Sequence, residues 1–335
     1  MDRIAFIYGA TFIYWSSIIV TLGALTAVFV FLSLYIKKSR DYLGCLWLIP
    51  LSMVSSLVLA RLIHWYCRAD AYNSFEAAMT DYSGGGYALM GVFAACAIVA
   101  VLLRLLRVVT NLPELFDCMA LGAGAGIAVG RLAPLFSAAD RGMVIEGVTT
   151  LPLVYPVNNA VTGALEYRMA TFMLQAIVVG IIFLALLVFY LLGQRSRRLK
   201  DGDTALLFLS AYGASQVLLD STRYDSLFMR TNGFISIVQI LGALAIGLAL
   251  IVFSVRMVKA NGFKKYFIGL WVAAAALVGG AGYMEYYVQR HGDRYVFAYS
   301  VMGTCLLGIV TLICVIRYLA ASQEYRLSFV ETNNL

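Results

Sequence analysis

Charged residues are scarce in this chain of 335 residues. Asp, Glu, Lys and Arg make up 13% of it, whereas hydrophobic residues make up 62% and the mean hydropathy is +0.85. Soluble domains carry about 25% charged residues. The shortage of charge therefore excludes an ordinary water-soluble globular protein.

Histidine is also scarce, and cysteine lacks a recognisable pattern. The two histidines, His64 and His291, lie far apart, and the six cysteines show no C-x-x-C spacing. We therefore expect neither a metal site nor a disulfide framework. The net charge of +7 is spread over several loops and forms no single basic strip. This distribution indicates membrane topology and contact with anionic lipid, so we expect no nucleic-acid partner.

Long apolar runs fill most of the chain. A helix needs roughly 20 mostly apolar residues to cross a bilayer, and its backbone polar groups must be satisfied within it. The sixth run is short and ends in polar residues, so it fits this requirement least well. The runs predict an all-α polytopic membrane protein with about nine transmembrane helices, at residues 13–35, 43–65, 87–108, 114–136, 169–192, 204–219, 233–254, 267–288 and 297–318.

The loops between these runs alternate in charge. Lys and Arg follow the odd-numbered runs, for example Lys37 and Lys38 after the first and Arg256 and Lys259 after the seventh. The other loops are mixed or acidic. Because cytoplasmic loops carry an excess of Lys and Arg, the pattern predicts that the N-terminus lies outside and the C-terminus is cytoplasmic.

Two outer segments, about 66–86 and 137–168, offer the only room for substantial structure outside the membrane. Residues 75–82 have the composition of a short interfacial helix. We expect an irregular conformation where prolines and asparagines cluster, at Pro152, Pro156, Asn158 and Asn159.

Several charged residues are predicted to lie near the outer interface. Arg61 lies near the outer end of the second run, Arg131 lies near the outer end of the fourth, and Asp220 and Arg223 follow the sixth. Arg binds phosphate through two parallel hydrogen bonds, so arginines from three different helices at one depth predict a phospholipid-headgroup site. The alternative is that each Arg extends to the interface and pairs with a nearby acid.

Glycines accompany these arginines. The fourth run contains Gly122, Gly124, Gly126 and Gly130, which predict close helix packing. Residues 84–86 are three consecutive glycines, and they predict a tight turn just before the third run.

The chain resembles the bacterial prolipoprotein diacylglyceryl transferases over about residues 10–254. Residues 60–62, Ala-Arg-Leu, match the family's G-A-R-L, and residues 84–91 stand at its G-G-x-S-x-H-G-G. Residues 130–133, Gly-Arg-Leu-Ala, open its signature G-R-x-[G/A]-N-F-x-N-x-E-x-x-G. Residues 207–213 resemble L-F-L-x-x-Y-G, and then come Asp220 and Arg223 for its E-x-x-R and 233–241 for its G-L-S-x-x-Q-x-L.

This resemblance implies an activity and a place in the cell. The family moves a diacylglyceryl group from phosphatidylglycerol to the cysteine thiol of a lipoprotein precursor, in the bacterial plasma (inner) membrane, without a metal or cofactor. It implies a seven-helix core at 1–254 and leaves 255–335 as a two-helix extension with a short cytoplasmic tail. The candidate catalytic residues are Arg131, Tyr212 and Asp220, and the candidate headgroup-binding residues are Arg61, Arg131 and Arg223.

Other functional positions of the family carry different residues here. The family's histidine falls at Leu89 or Met90, two signature positions fall at Pro134 and Ala139, and a functional arginine falls at Gln216. The alternative is therefore a catalytically impaired relative that binds phospholipid or a lipoprotein partner. A transfer to another acceptor also stays open, whereas a transporter ranks last because the chain shows no repeated halves.

Overall fold

The computed structural model describes residues 4–9, 11–80, 85–137, 142–145, 153–158, 163–196, 199–229, 232–291 and 294–333. Each of the nine apolar runs contains one long helix. These helices are α1 (Trp15–Ser39), α2 (Tyr42–Cys67), α4 (Leu89–Leu105), α5 (Leu112–Gly130), α6 (Thr171–Arg195), α7 (Asp203–Ser221), α8 (Ile237–Asn261), α9 (Tyr266–Arg290) and α10 (Tyr295–Asn333). The short helix α3 (Phe75–Thr80) lies in the first outer segment, as predicted.

Within the described residues, seven helices are long and apolar enough to cross a membrane. The exceptions are α4, which is apolar but has 17 residues, and α7, whose 19 residues include several polar ones. The prediction of an all-α multi-pass membrane fold is therefore confirmed. The count of nine spans and the outward-facing N-terminus stay predictions.

The polar helix α7 is surrounded by protein. It packs against α5, α6, α8 and α10. Most of its side chains are buried, including those of Ser210, Gln216 and Asp220. Polar residues are tolerated at membrane depth when they face other helices rather than lipid. This position explains why the sixth run looks too polar for a span and is nevertheless helical.

Both ends of α7 are fixed by other helices. At its N-terminus, Asp117 of α5 accepts hydrogen bonds from the backbone N–H groups of Gly202 and Ala205, each at 2.8 Å. Such a carboxylate satisfies donors that have no partner within the helix. At the other end, the Tyr299 hydroxyl of α10 donates to the carbonyl of Ser221 at 3.1 Å.

Glycines let the central helices approach closely. A Cβ on Gly213 of α7 would lie 2.7 Å from the carbonyl oxygen of Gly242 on α8. In α5, a Cβ on Gly122 or Gly126 would meet α1 at 2.7 or 2.6 Å. The predicted packing role is therefore confirmed for these α5 glycines, whereas a Cβ on Gly130 would meet nothing within 4 Å.

The sequence analysis did not predict three short antiparallel hairpins, and it was wrong about one of them. They pair β1 (Ile4–Tyr8) with β2 (Thr11–Tyr14), β3 (Val154–Asn158) with β4 (Leu165–Met169), and β5 (Phe228–Met229) with β6 (Asn232–Ser236). Residues 154–158 were expected to be irregular, but Pro156 lies in a strand opposite Tyr167. Within the described residues β3 pairs with β4 alone, so it is an edge strand in which a proline without an N–H is tolerated.

Candidate functional site

Arg131 and Arg223 line the same small cavity. Arg131 is the residue that ends α5, and Arg223 comes two residues after α7. The cavity has a volume of about 100 Å³, and its other walls are formed by Tyr87, Ala88, Leu89, Met90, Leu227, Ile237 and Val238. Two arginines that follow separate helices thus line one small space, together with mostly apolar residues. Such a space suits a single anionic group.

Acidic residues orient the guanidinium of Arg223. Its Nε and Nη2 donate to Oδ1 of Asp225 at 3.1 and 3.0 Å, and its Nη1 lies 3.4 Å from Oδ1 of Asp220. Its backbone pairs with Gly142, the last glycine of the signature segment. Arg223 is therefore held in place at the cavity wall by side-chain and backbone contacts.

Asp220 is buried and fully engaged. Its Oδ1 accepts from Arg223, its Oδ2 accepts from the hydroxyl of Ser236, and the hydroxyl of Ser226 donates to its carbonyl oxygen at 2.7 Å. A buried carboxylate needs partners of this kind. With these contacts, Asp220 can position Arg223.

Ser236 and Gln239 begin α8 with reciprocal hydrogen bonds. The Ser236 hydroxyl accepts from the Gln239 N–H at 3.1 Å, and the Ser236 N–H donates to Oε1 of Gln239 at 3.0 Å. This arrangement is a capping box. It fixes the serine hydroxyl that binds Asp220, and the sequence analysis did not single out this serine.

Tyr212 lies in the same buried region, about two turns before Asp220 on α7. Its ring stacks on Phe208 with centroids 5.4 Å apart and contacts Phe93 at 5.5 Å. The hydroxyl is buried, and among the described residues no group meets hydrogen-bond geometry with it. Arg131, Asp220 and Arg223 are nevertheless close enough to act on it electrostatically. A buried hydroxyl without a well-formed hydrogen bond is costly, so Tyr212 is a candidate for a functional role.

Arg61 has different surroundings. Its Nε donates to the carbonyl of Ala78 at 2.5 Å, and its Nη1 donates to the carbonyls of Gly85 and, at 3.1 Å, Gly86. It also lies over the ring of Tyr87, 5.4 Å from the centroid. Since Tyr87 lines the cavity of Arg131 and Arg223, Arg61 lies behind that wall and fixes the segment that forms it.

Two glutamines pair where the resemblance places a functional arginine of the family. Gln216 is 1% exposed, and its Oε1 accepts from Nε2 of Gln175 on α6 at 3.3 Å. The sequence analysis missed Gln175, although a glutamine within a long apolar run is a signal of function or of helix pairing. Leu89 and Met90, the two positions where the family's histidine could fall, both line the cavity, and neither can transfer a proton.

Two further expectations concern Ala139 and a metal site. Ala139, at a further functional position of the family, lies outside the described residues. Over the described part of the chain, no three His, Cys, Asp or Glu side chains are close enough together to hold a metal ion.

Comparison with known proteins places this geometry in context. The profile of the prolipoprotein diacylglyceryl transferase family matches residues 3–255. The phosphatidylglycerol–prolipoprotein diacylglyceryl transferase of Lactococcus lactis subsp. cremoris is 26% identical over 261 residues, which cover 78% of this chain and 97% of that protein. The protein of the same name from Streptococcus agalactiae serotype Ia is 24% identical over 263 residues, which cover 76% and 97%. The match to the profile ends before α9 and α10.

Proposed function

Because the chain belongs to the prolipoprotein diacylglyceryl transferase family, we propose that it moves a diacylglyceryl group from phosphatidylglycerol to the cysteine thiol of a lipoprotein precursor. The observation that carries this proposal is the shared cavity of Arg131 and Arg223. We place the reaction in the bacterial plasma membrane, at the outer leaflet. The predicted orientation of the chain would put the cavity on that side.

The reaction breaks the bond between the diacylglyceryl carbon and a phosphate oxygen. The thiolate of the acceptor attacks that carbon, a sulfur–carbon bond forms, and glycerol phosphate leaves with the electron pair. The thiol must first lose its proton, because the thiolate is the nucleophile. No metal or redox partner is needed to balance these steps.

Arg131 and Arg223 would bind the phosphate and stabilise the charge that develops on it as it leaves. Donors fixed in a water-poor site are effective because they do not need to reorganise during the reaction. Asp220 would act as a positioning residue that holds Arg223, and the Tyr212 hydroxyl would relay the thiol proton to the phosphate of the departing glycerol phosphate. For Arg61 we propose an indirect role in the headgroup site, through the Tyr87 segment that it fixes.

The proposal is tested with the purified protein in nanodiscs that contain phosphatidylglycerol. A peptide with a lipobox cysteine is added, and mass spectrometry detects the gain of a diacylglyceryl group. The control peptide carries serine in place of the cysteine. We expect modification of the cysteine peptide alone. Intact lipid binding without any transfer would instead identify the impaired, lipid-binding relative.

Variants of the cavity test the assignment of its residues. Arg131→Ala and Arg223→Ala should each lower the transfer rate by about 10²–10³-fold and weaken retention of phosphatidylglycerol. Arg195→Ala is the matched control, because Arg195 is exposed at the far end of α6. Equal lipid retention by both variants and the parent protein would rule out the headgroup site.

A further inference from the structure

A second cavity adjoins the first one at Arg223. It has a volume of about 210 Å³ and lies where the outer end of α7 and the start of α8 meet α9 and α10. Arg223 lines both cavities. Polar residues line it from both the family-matched part of the chain and the part beyond residue 255. The first part contributes Asp220, Ser221 and Arg223, and the second contributes Glu285, Gln289 and Tyr299.

Glu285 of α9 lines this cavity and carries a carboxylate oxygen without a hydrogen-bond partner within the described residues. The residue is 9% exposed. Its Oε1 accepts from Nε2 of Gln289 at 3.1 Å, and Gln289 is itself fixed by donating to the carbonyl of Phe234 at 2.6 Å. Its Oε2 is buried and has no hydrogen-bond partner in the described part of the chain. A buried oxygen of this kind is costly unless a ligand supplies a donor.

Ser221 of α7 provides a second such atom. Its Oγ is buried without a hydrogen-bond partner among the residues that the structure describes, and the residue lines the same cavity. A serine hydroxyl can donate and accept, whereas a carboxylate oxygen accepts. The two atoms together would satisfy a ligand with more than one hydroxyl group.

The charges of the lining argue against a second phosphate. Arg223 is engaged by Asp220 and Asp225, and Glu285 adds a further acidic group. An anion would therefore be repelled here. An ammonium group would supply donors only and would lie beside the Arg223 guanidinium. A neutral polyol has the donors and acceptors that match Glu285 and Ser221.

We propose that this cavity binds the glycerol of the phosphatidylglycerol headgroup, with Glu285 and Ser221 receiving its hydroxyls, while the phosphate lies across Arg223 beside Arg131. The inference rests on the proposed function, because it takes the lipid from there. The family match ends at residue 255, so Glu285 and the helix that carries it lie beyond the matched residues. The C-terminal helices would therefore contribute to headgroup specificity in this chain.

The test compares two lipids with the same phosphate. Nanodiscs are prepared with phosphatidylglycerol or with phosphatidylethanol, whose headgroup has no hydroxyl, and lipid retention by the purified full-length protein is measured by native mass spectrometry. Glu285→Ala should lower the affinity for phosphatidylglycerol about tenfold and Ser221→Ala about threefold, since each loses a hydrogen bond to the glycerol. The affinity for phosphatidylethanol should stay unchanged in both.

Tyr283→Phe is the matched control, because Tyr283 is on the same helix as Glu285 but is 59% exposed. The inference is overturned if Glu285→Ala or Ser221→Ala weakens both lipids equally, which would indicate a packing role, or if neither variant changes the preference. Should Glu285→Ala fail to fold, Ser221→Ala decides alone.

The same measurement separates the inference from the proposed function. Retention of lipid does not depend on transfer to a peptide. If the parent protein prefers phosphatidylglycerol through Glu285 but modifies no peptide, the transferase proposal fails and the headgroup cavity stands. If the parent protein modifies the peptide but neither Glu285→Ala nor Ser221→Ala changes the lipid preference, the inference fails and the transferase proposal stands.

Discussion

Arg317 of α10 donates from Nε to Oδ2 of Asp203, the first residue of α7, at 2.9 Å. The other carboxylate oxygen of Asp203 accepts from Arg256 of α8 at 2.7 Å. Together with the bond from Tyr299 to Ser221, this contact means that α10 holds α7 at both ends. The helix beyond the family match therefore helps to position the helix that carries the proposed catalytic tyrosine.

We predict that Arg317→Ala lowers the free energy of unfolding by about 2 kcal/mol. Asp203 is 3% exposed, and it would lose one of its two arginines while keeping Arg256. The measurement is thermal or denaturant unfolding in detergent micelles. Arg195→Ala, which removes an exposed arginine, should leave stability within about 0.5 kcal/mol of the parent protein. Equal stability of the two variants would contradict this role of α10.

The long helices could be predicted from hydrophobicity alone, because a span must be apolar along most of its length. The hairpins could not, since their segments are short and lie between prolines and glycines. Pro156 in particular favoured an irregular segment, and only the pairing with Tyr167 shows that its strand has a free edge. The sequence left the position of α7 ambiguous because its polar residues suit a span poorly, whereas the structure surrounds it with four other helices.

Gly85 and Gly86 offer a matched pair of substitutions. Both have positive φ, +73° and +86°, so alanine strains the backbone at either position by about 1 kcal/mol. A Cβ on Gly85 meets nothing within 4 Å, whereas one on Gly86 would lie 2.5 Å from the Tyr72 hydroxyl and 2.7 Å from Nη1 of Arg61. Gly86→Ala must therefore displace Arg61.

We predict that Gly85→Ala reduces stability only slightly and leaves lipid retention near that of the parent protein. Gly86→Ala should cost about 2 kcal/mol more and weaken retention of phosphatidylglycerol, because the Tyr87 wall of the cavity moves. Unfolding midpoints and native mass spectrometry give the two readouts. If the two variants behave alike, Arg61 does not fix this wall.

Asp117→Ala should be among the most destabilising single substitutions in the chain. Asp117 is fully buried, and its loss leaves the N–H groups of Gly202 and Ala205 without their acceptors at the start of α7. We expect a loss of about 2–4 kcal/mol in unfolding free energy. Asp117→Asn keeps one side-chain oxygen and should lose about half as much. An alanine variant as stable as the asparagine variant would argue against the cap.

For Arg131 and Arg223 the sequence signal was their depth in the predicted spans, and their role in a headgroup site stays a prediction. Arg131 and Arg223 were expected at one interface, and the structure brings them to one cavity. The carbonyl contacts of Arg61 were not predictable, because they depend on where Ala78, Gly85 and Gly86 lie relative to α2. The same holds for Gln175 and Gln216, whose pairing depends on the rotation of α6 against α7.

Tyr212→Phe separates a catalytic role from a structural one. The ring packs against Phe208 and Phe93, and phenylalanine would keep those contacts. The hydroxyl has no hydrogen-bond partner among the described residues, so its removal should leave the unfolding free energy unchanged or raise it slightly. If the hydroxyl takes part in proton transfer, kcat for peptide lipidation should fall by about 10²-fold while lipid retention is unchanged.

Tyr190→Phe is the control for this measurement. Tyr190 is also buried, but it lies near the C-terminal end of α6, and its hydroxyl is 3.5 Å from the sulfur of Cys118. Its removal should leave kcat near that of the parent protein. A Tyr212→Phe enzyme that retains full kcat would exclude the hydroxyl from the reaction. A group other than Tyr212 would then remove the proton from the acceptor thiol. Asp220 is a poor candidate for that base, because its two carboxylate oxygens already accept hydrogen bonds from Arg223 and Ser236.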